Sequence, residues 1–236
     1  MAARENTLRT SGPVPVSRMF LVILGLFVMA LVVSNIVAVK IVEVWGRQFD
    51  AGTLLFPLVY VIGDVVTEVY GFRRARLVIW IGFLANLVAV GAIQAAIHLP
   101  SAGFWEENQP AFETVLGTTW RLFLGSLAAY LVGELVNSYI LSRLKVATHG
   151  RFLWLRTISS TIVGQGLDSV IFSTIAFAGT GIDLANQIVT IWVIKVAWEV
   201  AATPLTYAAV GALKEHEGID VYDENLSFDP FPFRRT

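Results

Sequence analysis

Apolar residues run along this chain in six blocks, 20–44, 51–70, 76–97, 119–141, 155–178 and 188–213, and most of its charge lies outside them, in the short connections and the two terminal segments. Each block is close to the roughly 20 residues that a helix needs to cross a hydrocarbon core of about 30 Å. The pattern predicts an all-α polytopic membrane protein with six transmembrane helices: a segment 1–19, a helical domain 20–213 and an acidic tail 214–236. The first block is too long for a signal-peptide core and lacks a small-residue cleavage site after it, so that helix is expected to be retained.

Composition agrees with the pattern. Of 236 residues, 56% are hydrophobic and 15% charged, with a mean hydropathy of +0.67, whereas a soluble domain carries about 25% charged residues. A net charge of −1 offers no basic face to a nucleic acid. Cysteine is absent, which removes disulfides and thiolate chemistry. The histidines His98, His149 and His216 share no helical face, so neither a metal site nor a cofactor is expected.

Basic residues fall on alternate connections. Arg4, Arg9 and Arg18 precede the first block; Arg73, Arg74 and Arg76 follow the second; Arg143, Lys145, Arg151 and Arg156 surround the fourth connection; Lys214, Arg234 and Arg235 follow the sixth. The other connections hold Arg47 and Arg121 among Asp50, Glu106, Glu107, Glu113 and Asp183. That asymmetry predicts cytoplasmic termini at both ends. The longest connection, 98–118, is then external, and Phe104, Trp105 and Phe112 suit an interfacial loop or a lid. The tail is expected to dock on, or hang from, the cytoplasmic face.

The candidate chemistry lies inside the apolar blocks, where a charge costs at least roughly 2.5–3.5 kcal/mol and usually faces a bundle interior or a water path. Depth counted at about 1.5 Å per residue gives two levels. Asn35, Asn86, Gln165, Asp168, Lys195 and Glu199 form a central level, with Trp198, Trp192 and Phe172 as flat walls for a planar ligand. Asp64, Glu68, Glu134 and Asn137 form an inner acidic level or gate. Lys195 and Glu199, four apart, can neutralise each other, and Glu68 can answer the arginines at 73, 74 and 76. Ala30, Ser34 and Ala38 make a small-residue stripe for packing or for a homodimer. The cluster points to a transporter of a polar solute in contact with membrane lipid. Catalytic signatures such as HExxH and GxSxG are missing, which leaves an intramembrane enzyme as the weaker alternative.

Four segments carry a family likeness: SNIVAVKIV in the first block, DAGTLLFPLVYVIGDVVTEVYGFRRAR across the second, GQGLDSVIFSTIAF in the fifth, and VIKVAWEVAATPLTY followed by a tail with DPFPF. In these the chain resembles the YhhQ-type queuosine precursor transporter family, also described as vitamin uptake transporters. The most specific matches are Asp64, Glu68, Tyr70 and Gly71, and Lys195, Glu199 and Pro204. The resemblance implies uptake of 7-cyano-7-deazaguanine and 7-aminomethyl-7-deazaguanine across a bacterial inner membrane, and a six-helix form similar to the substrate-binding subunits of energy-coupling-factor importers. A subunit that needs an energising partner is the alternative function. For a guanine-like ligand, Asp168 or Glu199 would accept from the base, Gln165, Asn35 or Lys195 would read its carbonyl, and Trp198 or Phe172 would stack.

Overall fold

A computed structural model describes residues 8–10, 16–38, 40–44, 47–117, 120–179, 181, 183–224 and 227–231. Arg4, Arg234 and Arg235, part of the basic asymmetry, lie outside the described residues. The helices are α1 (Arg18–Val37), α2 (Phe56–Tyr70), α3 (Phe72–His98), α4 (Gln109–Leu116), α5 (Trp120–Ala147), α6 (Leu153–Phe177) and α7 (Leu184–Glu217). Local chemistry sets their ends. The Ser17 hydroxyl accepts from the Phe20 N–H at 3.0 Å and the Asp183 carboxylate from the Asn186 N–H at 3.2 Å, each satisfying an orphan donor at a helix start. Pro57 sits in the first turn of α2, where its missing N–H has no cost. At the other end Gly71 turns the chain at φ 80 between α2 and α3. A side chain there would also meet Val221 Cγ1 at 2.8 Å, so the position needs glycine twice over.

Among the described residues, four helices, α1, α3, α5 and α7, are long and apolar enough to cross a membrane. The other two predicted spans differ for separate reasons. α2 has 15 residues, about 22 Å of helix, because the block from residue 51 begins with a 3-10 turn, Ala51–Leu54. α6 has 25 residues, but Arg156, Thr157, Ser160, Thr161, Gln165, Ser169 and Ser173 lower its hydropathy, and all are buried in the bundle. Its polar face meets protein, with α5 as its most extensive neighbour.

The α5–α6 crossing is close because glycines face each other. A Cβ on Gly164 would lie 2.7 Å from the Asn137 Cβ and 2.9 Å from the Gly133 carbonyl, and one on Gly133 would lie 2.8 Å from the Asp168 Cβ. Small residues at a helix crossing permit this approach of backbones. The apolar core packs α1 and α2 through Phe20, Phe27, Leu31, Val59, Val66 and Val69. Within α1, Ala30 and Ser34 are buried, so the small-residue stripe packs inside the chain. On the opposite face of α1, Leu21, Val22, Met29 and Val33 are exposed.

Among the described residues two small sheets supplement the helices and were not anticipated. An antiparallel hairpin joins Ile41–Val44 to Arg47–Asp50. Strand Leu8–Thr10 pairs in parallel with Ile219–Val221 in the tail, which puts both terminal segments at one end of the bundle. The tail docks there. Asp223 accepts from the Phe72 N–H at 2.8 Å and the Ser142 hydroxyl at 2.6 Å, the Trp80 indole donates to the Pro230 carbonyl at 2.7 Å, and Phe228 lies against Phe72 and Tyr139. At the opposite end the long connection is largely helical, with a 3-10 turn, Gly103–Asn108, leading into α4. Phe104 stands exposed there. Arg121, a basic residue at this end, donates to the Ile175 and Ala178 carbonyls at 3.1 and 2.8 Å, closing the C-terminus of α6.

Pro204 interrupts α7. It cannot donate to the Val200 carbonyl, so that helix lacks one rung between its two halves.

Candidate functional site

Asp64 is the ninth of the 15 residues in α2, and Glu134, Gln165 and Glu199 also lie near the middles of their helices. The Asn137 amide donates to Asp64 Oδ1 at 2.9 Å. The carboxyl groups of Asp64 and Glu199 adjoin. The Gln165 amide makes a long hydrogen bond to Glu134 Oε1, 3.4 Å, and Gly63 stands beside the other oxygen of Glu134, where a Cβ would come to 3.3 Å. Asp168 is paired with Lys195. Half-buried Tyr60 lies within electrostatic reach of Lys195, Asp168, Glu134 and Glu199. One cluster thus joins α2, α5, α6 and α7.

The arrangement merges the two expected levels. Counting depth along each block treats helices as equally centred, but the late start of α2 brings Asp64 to the height of Glu199. Lys195 meets Asp168 across the α6–α7 contact and not Glu199 on its own helix. Four-residue spacing allowed that local pair, but Glu199 turns toward Asp64.

Glu68 belongs to a different group. It bonds bidentately to Arg156 at 2.9 and 2.8 Å, pairs with Lys214 at 2.7 Å and has Lys145 Nζ at 3.6 Å. Lys145 and Lys214 also reach Asp220 of the tail at 2.5 and 2.8 Å. The expected answer to Arg73, Arg74 and Arg76 is therefore replaced by cations from α5, α6 and α7. Arg76 instead pairs with Asp229 at 3.8 Å.

Asn35 stands apart. Its amide donates to Asn86 Oδ1 at 3.1 Å between α1 and α3, and both line a shallow groove with Val32, Ile36 and Ala89 that shares no residue with the cluster. Trp198 is exposed on the outer side of α7, as its neighbour Glu199 takes the inner side. The Trp192 indole donates to the Ile162 carbonyl at 2.8 Å. Phe172 lies edge-on to Phe177 at 5.8 Å, one turn beyond Asp168. Tyr60, Ser169 and Ser173 were missed by the sequence reading. Ser169 and Ser173 continue from Gln165 at four-residue intervals, and that spacing was the available signal; Tyr60 lies one helical turn before Asp64.

Acidic side chains outnumber cations in the cluster. Among the described residues, Lys195 is the single cation that pairs with one of the four carboxylates, and no salt bridge reaches Asp64, Glu134 or Glu199. Buried oxygens without a hydrogen-bond partner include Asp64 Oδ2, Asn137 Oδ1, Gln165 Oε1 and Glu199 Oε1. Such groups are costly in a low-dielectric interior, and a donor-bearing solute would satisfy them.

A family model described as "Putative vitamin uptake transporter" matches residues 50–209, which contain the whole cluster. The chain is 33% identical over 192 residues to a Bacillus subtilis protein named "Probable queuosine precursor transporter", covering 79% of this chain and 83% of that protein. It is 28% identical over 129 residues to a Haemophilus influenzae protein of the same name, 53% of this chain and 51% of the other. With the "Queuosine precursor transporter" of Escherichia coli it shares 24% identity over 155 residues, 65% of this chain and 67% of that one. No solved structure matches.

Proposed function

The chain belongs to the putative vitamin uptake transporter family, and from that premise we propose that it imports a 7-deazaguanine precursor of queuosine across the bacterial inner membrane. The convergence of Asp64, Glu134, Asn137, Gln165, Asp168, Lys195 and Glu199 inside an apolar bundle carries this reading. A 7-deazaguanine presents N1–H and an exocyclic amine side by side, a donor pair that one carboxylate accepts together, next to a carbonyl that takes a donor. Glu134, beside Gln165, accepts the donor pair, and Lys195 donates to the carbonyl while staying near Asp168. Tyr60 and Phe172 offer flat surface to the ring. Asn35 and Trp198 fall outside this set.

In this proposal α2 and α6 complete six spans, with the tail end of the bundle cytoplasmic. Six helices around a central ligand is the plan it would share with the substrate-binding subunits of energy-coupling-factor importers. The test is uptake of a radiolabelled 7-deazaguanine base into proteoliposomes that contain the purified chain alone. Saturable uptake is expected, with Glu134→Gln weakening ligand binding by roughly 1.5–3 kcal/mol, the range for hydrogen bonds to a charged group. Absence of both binding and uptake would reject the proposal. Binding without uptake would favour a subunit that depends on an energising partner.

A further inference from the structure

The unsatisfied oxygens of the cluster have a common character. Asp64 Oδ2, Asn137 Oδ1, Gln165 Oε1 and Glu199 Oε1 are all hydrogen-bond acceptors, contributed by α2, α5, α6 and α7, and each of their residues is at least nine-tenths buried. The donor edge of a guanine-like base is one planar strip, so it can serve the acceptors that face that strip and no others. Asp64 and Glu199 share a hydrogen bond between their carboxyl groups, and any further donor to the pair would come from elsewhere on the ligand.

The same helix shows how this chain treats a carboxylate whose role is structural. Glu68, one turn from Asp64, is met by Arg156, Lys145 and Lys214. Asp64 has the Asn137 amide and the Glu199 carboxyl beside it and no cation among the described residues. Lys195 pairs with Asp168, and among the described residues no salt bridge joins it to Asp64 or Glu199.

We propose that Asp64 and Glu199 form a receptor for a positively charged amine on the ligand, so that the site selects the aminomethyl-bearing 7-deazaguanine over its neutral cyano counterpart. The inference rests on the 7-deazaguanine reading above and names which member of that class the site prefers. An ammonium brings three donors and a full charge, which matches two adjoining carboxyl groups. A nitrile is an acceptor and leaves them as they were.

Competition binding to the purified full chain in detergent, with 7-aminomethyl-7-deazaguanine, 7-cyano-7-deazaguanine and the neutral 7-methyl-7-deazaguanine, tests this. The aminomethyl base is expected to bind on the order of ten- to a hundredfold more tightly than either neutral base, the span expected of a charge-assisted hydrogen bond. In Glu199→Gln and in Asp64→Asn the ratio between aminomethyl and cyano affinities should fall toward one. Equal or tighter binding of the cyano base to the wild-type protein overturns the inference and leaves the 7-deazaguanine reading standing. An unchanged ratio in both variants also overturns it. No binding of any of the three bases overturns the reading and the inference together.

Discussion

Asp64 and Glu68 lie four residues apart on α2 and meet opposite surroundings, one with a neutral amide and a second carboxyl group, the other with three cations. The two should respond differently to loss of charge. Glu68→Gln leaves Arg156, Lys145 and Lys214 without their shared counterion, and breaking a buried network in this way costs roughly 3–5 kcal/mol. Thermal unfolding in detergent should show that loss, whereas Lys214→Met should be milder because Arg156 and Lys145 still hold Glu68. Lys195 and Asp168 call for a paired test. If they only neutralise each other, removing both charges together should be tolerated where removing one is not. The expected outcome is that Lys195→Met with Asp168→Asn yields a folded, inserted protein that no longer takes up the base, read as uptake beside a normal elution profile. The residue types here were legible in the sequence because charge is expensive in an apolar block. Their partners were not, since four-residue spacing states which side chains can meet on one helix and says nothing of a cation arriving from another.

Among the elements, α5 and α6 are joined most intimately, and their crossing places Asn137 and Asp168 one turn from Gly133 and Gly164. Gly164→Ala would drive a methyl group into the Asn137 Cβ and the Gly133 carbonyl, contacts with little freedom to yield. Overpacking of this kind costs roughly 1–3 kcal/mol, and thermal stability and ligand affinity should fall together. Gly91 and Gly211 have nothing within 4 Å. Alanine at either should raise stability by roughly 0.5–1 kcal/mol through helix propensity. The apolar blocks revealed the existence of α1, α3, α5 and α7, whose outer surfaces are hydrophobic. α6 reads more weakly because its polar stripe, from Thr157 to Ser173, is buried in the bundle and is invisible to an average over the block. The sequence left the tail to dock or to hang free, because it shows the charges of Asp220, Asp223 and Asp229 without their partners; each has one on the bundle.

For the molecule as a whole, the sidedness proposed from the basic residues can be tested directly in a chain without cysteine. Cysteine replacing the exposed Asn108 should react with an impermeant thiol reagent from outside intact cells, and cysteine replacing the exposed Ala147 should react only after the membrane is opened. The reverse pattern would turn the bundle over and make the tail external. Within that frame, Pro204 divides α7 between Lys195 and Glu199 on one side and Lys214, bound to Glu68 and Asp220, on the other. A helix with a missing rung bends there more readily than elsewhere. Pro204→Ala restores a donor for Val200, so it should stiffen α7, keep ligand affinity and slow uptake, a split that equilibrium binding and initial uptake rates would show. On the proposed reading the proline would act as a fulcrum: a ligand beside Glu199 would pull on the long arm, and the short arm would lift the clasp of Lys214, Glu68 and Asp220 that holds the tail against the bundle.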